Sequence, residues 1–215
     1  METFTSKHRT IGMSASWLIT TLLILYAVTL VFGLLSLKSP DDPIGDPYFS
    51  MLELLIVLMM PLMILVMVAL HAYAVDEVKV YSMTALIMMI LAAAVTSCVH
   101  FVILTISRHS EMAGLPWLSL FLSFKWPSVA YTLDILAWDW FFALSMLFAA
   151  PVLRSGRAET AVRTLMILSG VLSLAGLVGV PLANMQIRMI GVIGYVGFTP
   201  ALFLLLGIVF KRSTS

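Results

Sequence analysis

The sequence predicts an all-α, polytopic integral membrane protein: one domain over residues 1–215, six transmembrane helices in one bundle, N-terminus and C-terminus both cytoplasmic. Composition is the first reason. Of 215 residues 61% are hydrophobic and 11% charged, against about 45–50% and about 25% in soluble domains, and the mean hydropathy is +1.08. Length is the second. Six nearly uncharged runs, 14–37, 51–75, 80–107, 128–153, 164–183 and 189–210, reach the roughly 20 residues that a helix rising about 1.5 Å per residue needs to cross about 30 Å of hydrocarbon. They are too long and continuous for the alternating strands of a barrel. Charge is the third. With the N-terminus inside, Lys7, Arg9, Lys79, Arg154, Arg157, Arg163, Lys211 and Arg212 fall on the inner side, and only Lys38, Arg108, Lys125 and Arg188 on the outer. Basic residues near helix ends are held on the cytoplasmic side.

Taken in order, the first run follows Lys7 and Arg9 as a signal peptide would. Its apolar stretch outlasts the usual 7–15-residue core and no small-x-small site ends it, so an uncleaved helix is expected. The outer loop "SPDDPIGDP" reads as a solvated turn in which Asp41, Asp42 and Asp46 cap the chain, because a calcium site would need six or more oxygen ligands. The second run opens on Ser50 and Glu53, spaced as a capping box, and contains Pro61 in its middle, a hinge candidate. His71 lies near its inner end, beside Tyr73 and the turn "DEVK". The third run carries His100. After it, "GLPWLSLFLSFKWP" (114–127) is too short to span; Trp117, Phe121, Phe124 and Trp126 suit a segment lying at the outer interface, where it could cap the bundle. The fourth run holds Asp134 and Asp139, the second between Trp138 and Trp140. The fifth and sixth are rich in small residues, Ser169, Gly170, Ser173, Gly176 and Gly179, then Gly191, Gly194 and Gly197, which predict a close helix seam. Pro181 and Pro200 interrupt these last two runs.

An ionisable side chain at bilayer depth is expensive and usually faces the bundle interior with a partner. Asp134 lies near its helix start, where the macrodipole favours a negative charge and capping explains it. With Ser107 and Tyr131 taken as the outer ends of their helices, His100 lies roughly 10 Å and Asp139 roughly 12 Å deep, and this matched depth predicts a hydrogen bond between them, directly or through one water. The candidate ligand-binding or proton site is therefore Asp139, His100, Asp134, Glu53 and Tyr195, with Asn184, Gln186 and Arg188 on the adjoining outer turn.

Several chemistries are excluded. Cys98 is the only cysteine, so no dithiol exchange is available. All five lysines lie in tails, loops or helix-end turns, which rules out a retinal-type Schiff base. His71 and His100 fall near opposite faces, which excludes a bis-histidine haem. Zinc-hydrolase, Walker and nucleophile-elbow motifs are missing. A haem with one ligand stays open and the cofactor is unknown; no metal is indicated, and a net charge of +1 without a basic stripe argues against nucleic acid. The expected partners are the lipid bilayer of the cell (plasma) membrane and a second membrane protein or another copy of the chain. The expected function is transport, or ligand or proton binding, through a polar site in the outer half of the bundle. An accessory subunit binding another membrane protein and a membrane-embedded enzyme using a His–Asp pair are the alternatives.

Overall fold

The computed structural model describes residues 4–39, 42–108 and 115–213. It is helical over 83% of the chain, with no strand among those residues. Six helices are long and apolar enough to cross a membrane: α1 (Ser6–Leu35), α2 (Tyr48–Tyr73), α3 (Asp76–Thr105), α4 (Val129–Val152), α5 (Arg157–Gly179) and α6 (Met185–Arg212). Their ends differ from the apolar runs where charged residues continue a helix past its greasy part. At α1 the Thr5 hydroxyl accepts from the His8 amide at 3.3 Å, and this cap draws Lys7 and Arg9 into the first turns.

Each helix packs on its successor, and α6 returns to α1, closing a ring. The two- to five-residue connections after α2, α4 and α5 dictate such neighbour packing. The closure uses small residues. A Cβ on Gly207 would stand 2.3 Å from Trp17 Nε1, and one on Gly12 2.8 Å from Phe210. The middle is filled by Ile19, Met63, Met67, Phe142, Met146, Phe203 and Phe210, all fully buried; flexible thioethers and flat rings fill gaps between helices without adding polar groups. Phe4 packs on Tyr73 and Phe210 with ring centroids 5.4 and 6.2 Å apart. The start of the chain and the ends of α2 and α6 therefore share one end of the bundle, here the terminal end. The opposite, loop end carries the connections before α2, α4 and α6.

The glycine seam between α5 and α6 is present. A Cβ on Gly176 would lie 2.6 Å from the Gly191 Cα, and one on Gly194 2.7 Å from the Ser173 nitrogen. Gly197 is the exception, with only Ile193 at 3.7 Å. Among the described residues two stretches are π-helical, Leu136–Phe142 in α4 and Ile193–Gly197 in α6. Pro200 follows the second and lacks the N–H that would bond the carbonyl four residues earlier. Pro61 sits inside the unbroken α2, and Pro181 falls in the turn before α6.

Before α4 the interfacial segment forms one helical turn, Leu118–Phe121; Gly114 lies outside the described residues, as does Asp41. Asp42 accepts from the Ser39 amide at 2.9 Å and Asp46 from the Ser50 hydroxyl at 2.7 Å, so these loop carboxylates organise local turns.

Candidate functional site

Three helices meet near the loop end with one ionisable residue each. Glu53 is five residues into α2, Asp134 five into α4, and His100 five before the end of α3, which sets all three about 7–8 Å below their helix ends. The imidazole sits between the two carboxylates: Nδ1 is 2.7 Å from Glu53 Oε2, and Nε2 is 3.5 Å from Asp134 Oδ1. The first distance is a strong charge-assisted hydrogen bond. The second is too long for one, and both of its atoms lack any other partner. Phe124 covers the layer, its ring 5.1 Å from that of His100, while packing on Val99, Ile103 and Ala130. The interfacial segment thus reaches over His100.

A second layer lies deeper. Asp139 and Tyr195 are each ten residues into α4 and α6, about 15 Å down, and both sit on the π-helical stretches. Arg188 joins them from above. Asn184 caps α6, its side-chain oxygen accepting from the Gln186 and Ile187 amides at 3.0 and 3.2 Å, so Arg188 begins on the first turn and its side chain runs inward. Ser128 caps α4 by accepting from the Tyr131 amide at 3.1 Å, placing Tyr131 likewise. Arg188 then donates to Tyr131 Oη at 3.0 Å, Tyr195 Oη at 2.8 Å and Asp139 Oδ2 at 3.2 Å. Asp139 is 0% exposed and Arg188 3%; charges this far from solvent persist only when paired. Room for the carboxylate comes from Gly191, where a Cβ would stand 1.9 Å from Asp139 Oδ1.

All five predicted site residues therefore gather at the loop end, but in different pairs. The expected bond between His100 and Asp139 is replaced by Glu53 with His100 and Asp139 with Arg188. The depth match fails because α3 ends at Thr105 and α4 starts at Val129, which leaves Asp139 about twice as deep as His100. Glu53 is no capping residue: no side chain caps α2 at Pro47, and Glu53 turns inward to His100. Asp134 is likewise drawn to His100 rather than to a cap. His71 lies at the terminal end, bonded to Ser82 Oγ at 2.8 Å. Gln186 contributes only its amide to the Asn184 cap. The sequence reading missed Tyr131 and the central place of Arg188. A signal existed, since a buried aspartate calls first for a cation, and Arg188 was the permanent one on the adjoining turn.

No family model, no curated protein and no solved structure matches this chain. Its chemistry rests on the site itself. Each imidazole nitrogen faces a different carboxylate, so the three donors do not converge on a common point, and among the described residues no cluster suited to a metal ion is found. Charge decides what the arrangement can hold. Against Glu53, Asp134 and Asp139 stand the permanent cation Arg188 and the titratable His100, so full ionisation leaves negative charge without a fixed counter-ion.

Proposed function

We propose that this chain acts in the cell membrane as a proton-linked binding or transport protein whose working element is the charge cluster at the loop end. The excess of carboxylates over permanent cations in the cluster, Glu53, Asp134 and Asp139 against Arg188, carries this reading, because an uncompensated charge at that depth is driven to take a proton or a ligand cation. His100 is placed to exchange protons: with one nitrogen toward each carboxylate, it can accept at one side and release at the other. The eight-to-four distribution of basic residues supports putting the cluster in the outer half, with both termini cytoplasmic. Reporter fusions at Lys38, Lys79 and Arg157 test that; an external Arg157 would turn the site toward the cytoplasm.

The proton reading is tested by melting the purified protein in nanodiscs across pH 5 to 8. Each proton taken up differentially changes stability by about 1.4 kcal/mol per pH unit, roughly 3–5 °C for a chain of this size. The wild-type profile should slope, and the slope should shrink in Glu53→Gln and His100→Gln. Superimposable profiles in all three proteins would sink the proposal. The accessory-subunit reading draws support from the filled core: two surface recesses lie at the ends of α1, beside Lys7 and Lys38, away from the cluster. A flat profile together with a stoichiometric membrane-protein partner would favour it.

A further inference from the structure

The surroundings of Arg188 match a recognition site for organic cations. Its Cζ lies 4.9 Å from the centre of the Tyr131 ring and 5.7 Å from that of Tyr195. Both rings are braced: Trp126 packs against Tyr131 at 6.5 Å, and Trp138 stacks on Tyr195 at 5.3 Å. Aromatic faces around a desolvated carboxylate are the arrangement by which proteins hold guanidinium and ammonium groups. The fit is incomplete, because Asp139 Oδ1 and Arg188 Nε, both buried, have no hydrogen-bond partner. Arg188 is also tethered at the rim. Its backbone is on the first turn of α6, and nearer the loop end Asp134 offers a second carboxylate, whose Oδ1 makes no hydrogen bond and has only His100 Nε2 at 3.5 Å.

We infer that Asp139, Tyr131 and Tyr195 form a binding site for a small organic cation, a guanidinium or an alkylammonium, and that Arg188 is the tethered occupant which this ligand displaces. Resting on the reading of the cluster as a ligand site, the inference names the ligand class. Charge is conserved in the exchange: one cation leaves Asp139 as another arrives, and Arg188 moves up toward Asp134. No bond is made or broken.

The test uses the full chain in phosphatidylglycerol nanodiscs, whose headgroups carry no cation to compete. Methylguanidinium chloride and tetramethylammonium chloride are the probes, with sodium chloride at matched ionic strength as the control. One or both should bind wild type saturably, with a Kd on the order of 1–10 mM, raising the melting temperature by roughly 3 °C or more at tenfold excess over Kd. Arg188→Ala, which has no tethered competitor, should bind the same probe at least about tenfold tighter, and Asp139→Asn should abolish binding. Should Arg188→Ala fail to fold, Arg188→Lys tests the same point, since it keeps the charge, loses the fork and should also bind more tightly than wild type. Nanodiscs of phosphatidylcholine and of an uncharged galactolipid, neither of which has the anionic surface that concentrates cations, distinguish the ligand's source: weaker probe binding in phosphatidylcholine assigns the site to lipid headgroups, and equal binding to a free cation. Binding to the Arg188 variant but not to wild type below about 100 mM would make Arg188 a permanent structural cation and overturn the inference, as would no binding to either. The pH profile of Glu53 and His100 is read separately, so a proton site without cation binding defeats only this inference, and cation binding with a flat profile defeats only the proton reading.

Discussion

Gly191→Ala is the most discriminating single change, because it adds one methyl at the point where two helices and the buried aspartate meet. The new Cβ would lie 1.9 Å from Asp139 Oδ1 and 3.2 Å from the Ser173 carbonyl oxygen. The backbone of α5 cannot retreat easily, since Gly176 already rests against Gly191. Asp139 must therefore move by more than 1 Å, and its 3.2 Å bond to Arg188 cannot survive that. Overpacking costs about 1–3 kcal/mol, and a lost hydrogen bond between charged groups about 1.5–3. Replacing glycine in a helix returns up to about 1. The net loss is about 3 kcal/mol, a fall of roughly 6–12 °C in melting temperature at this chain length, measurable by the intrinsic fluorescence of the five tryptophans. Gly197→Ala is the matched control: its Cβ meets only Ile193 at 3.7 Å, so stability should hold or rise slightly. Adding Asp139→Ala removes the colliding oxygen, so the double variant with Gly191→Ala should be little worse than Asp139→Ala alone. A neutral Gly191→Ala, or strict additivity with Asp139→Ala, would refute the packing of α6 on Asp139.

Three further outcomes follow from the same geometry. Arg188→Met should destabilise by about 3–5 kcal/mol by leaving Asp139 buried without its cation, and adding Asp139→Leu should recover much of that loss; thermal melting of the single and double variants decides it. Glu53 and His100 should show a coupling of about 1–2 kcal/mol in a double-mutant cycle, whereas Glu53 and Ser50 should show almost none, since a capping box would couple them and the inward turn of Glu53 does not. Deleting Trp140, which is 45% exposed, should restore α geometry to Leu136–Phe142 and leave the two flanks of α4 in phase, because a π-helical stretch absorbs about one extra residue; hydrogen exchange should then change only where the start of α6 packs on Asp139, while Trp140→Leu leaves exchange unchanged.

What could be read from sequence and what could not divides along a physical line. Hydrophobic run length locates a helix because the bilayer imposes it, so all six helices were visible. Their ends were not, because a cap such as Thr5 with His8 extends a helix through charged residues that no hydropathy pattern includes. The membership of the site was legible for a similar reason: an ionisable group inside an apolar run stands out whatever it touches. Pairing was not. It depends on rotation about each helix axis and on depth, and a shift of two residues at each of two helix ends was enough to move Asp139 away from His100. The π-helical stretches add a local change of phase, which displaces side chains such as Asp139 from the positions that a 3.6-residue period assigns. The glycine spacing "GVIGYVG" announced a seam, but only the structure separates Gly191, which admits a carboxylate, from Gly197, which admits nothing.

The division of the bundle into two halves bears on how such a site could work. Toward the loop end the helices meet through charges, hydroxyls and glycines, and two of them carry π-helical turns, which recur at functional positions because their hydrogen bonding is easily rearranged. Toward the terminal end Met63, Met67, Phe203 and Phe210 fill the ring. On the proposed reading a proton or cation in the cluster would exchange with the loop end, and reaching the other face would require the helices around that plug to part. Pro61 lies among Met59, Met60 and Met63, and its missing N–H leaves the Val57 carbonyl without its helical donor. The element best suited to bend is thus α2, the helix that also carries Glu53. Neutralising Glu53 and flexing α2 would act on one rigid segment between them, which is the kind of shared element through which occupancy of a site is coupled to a change of shape.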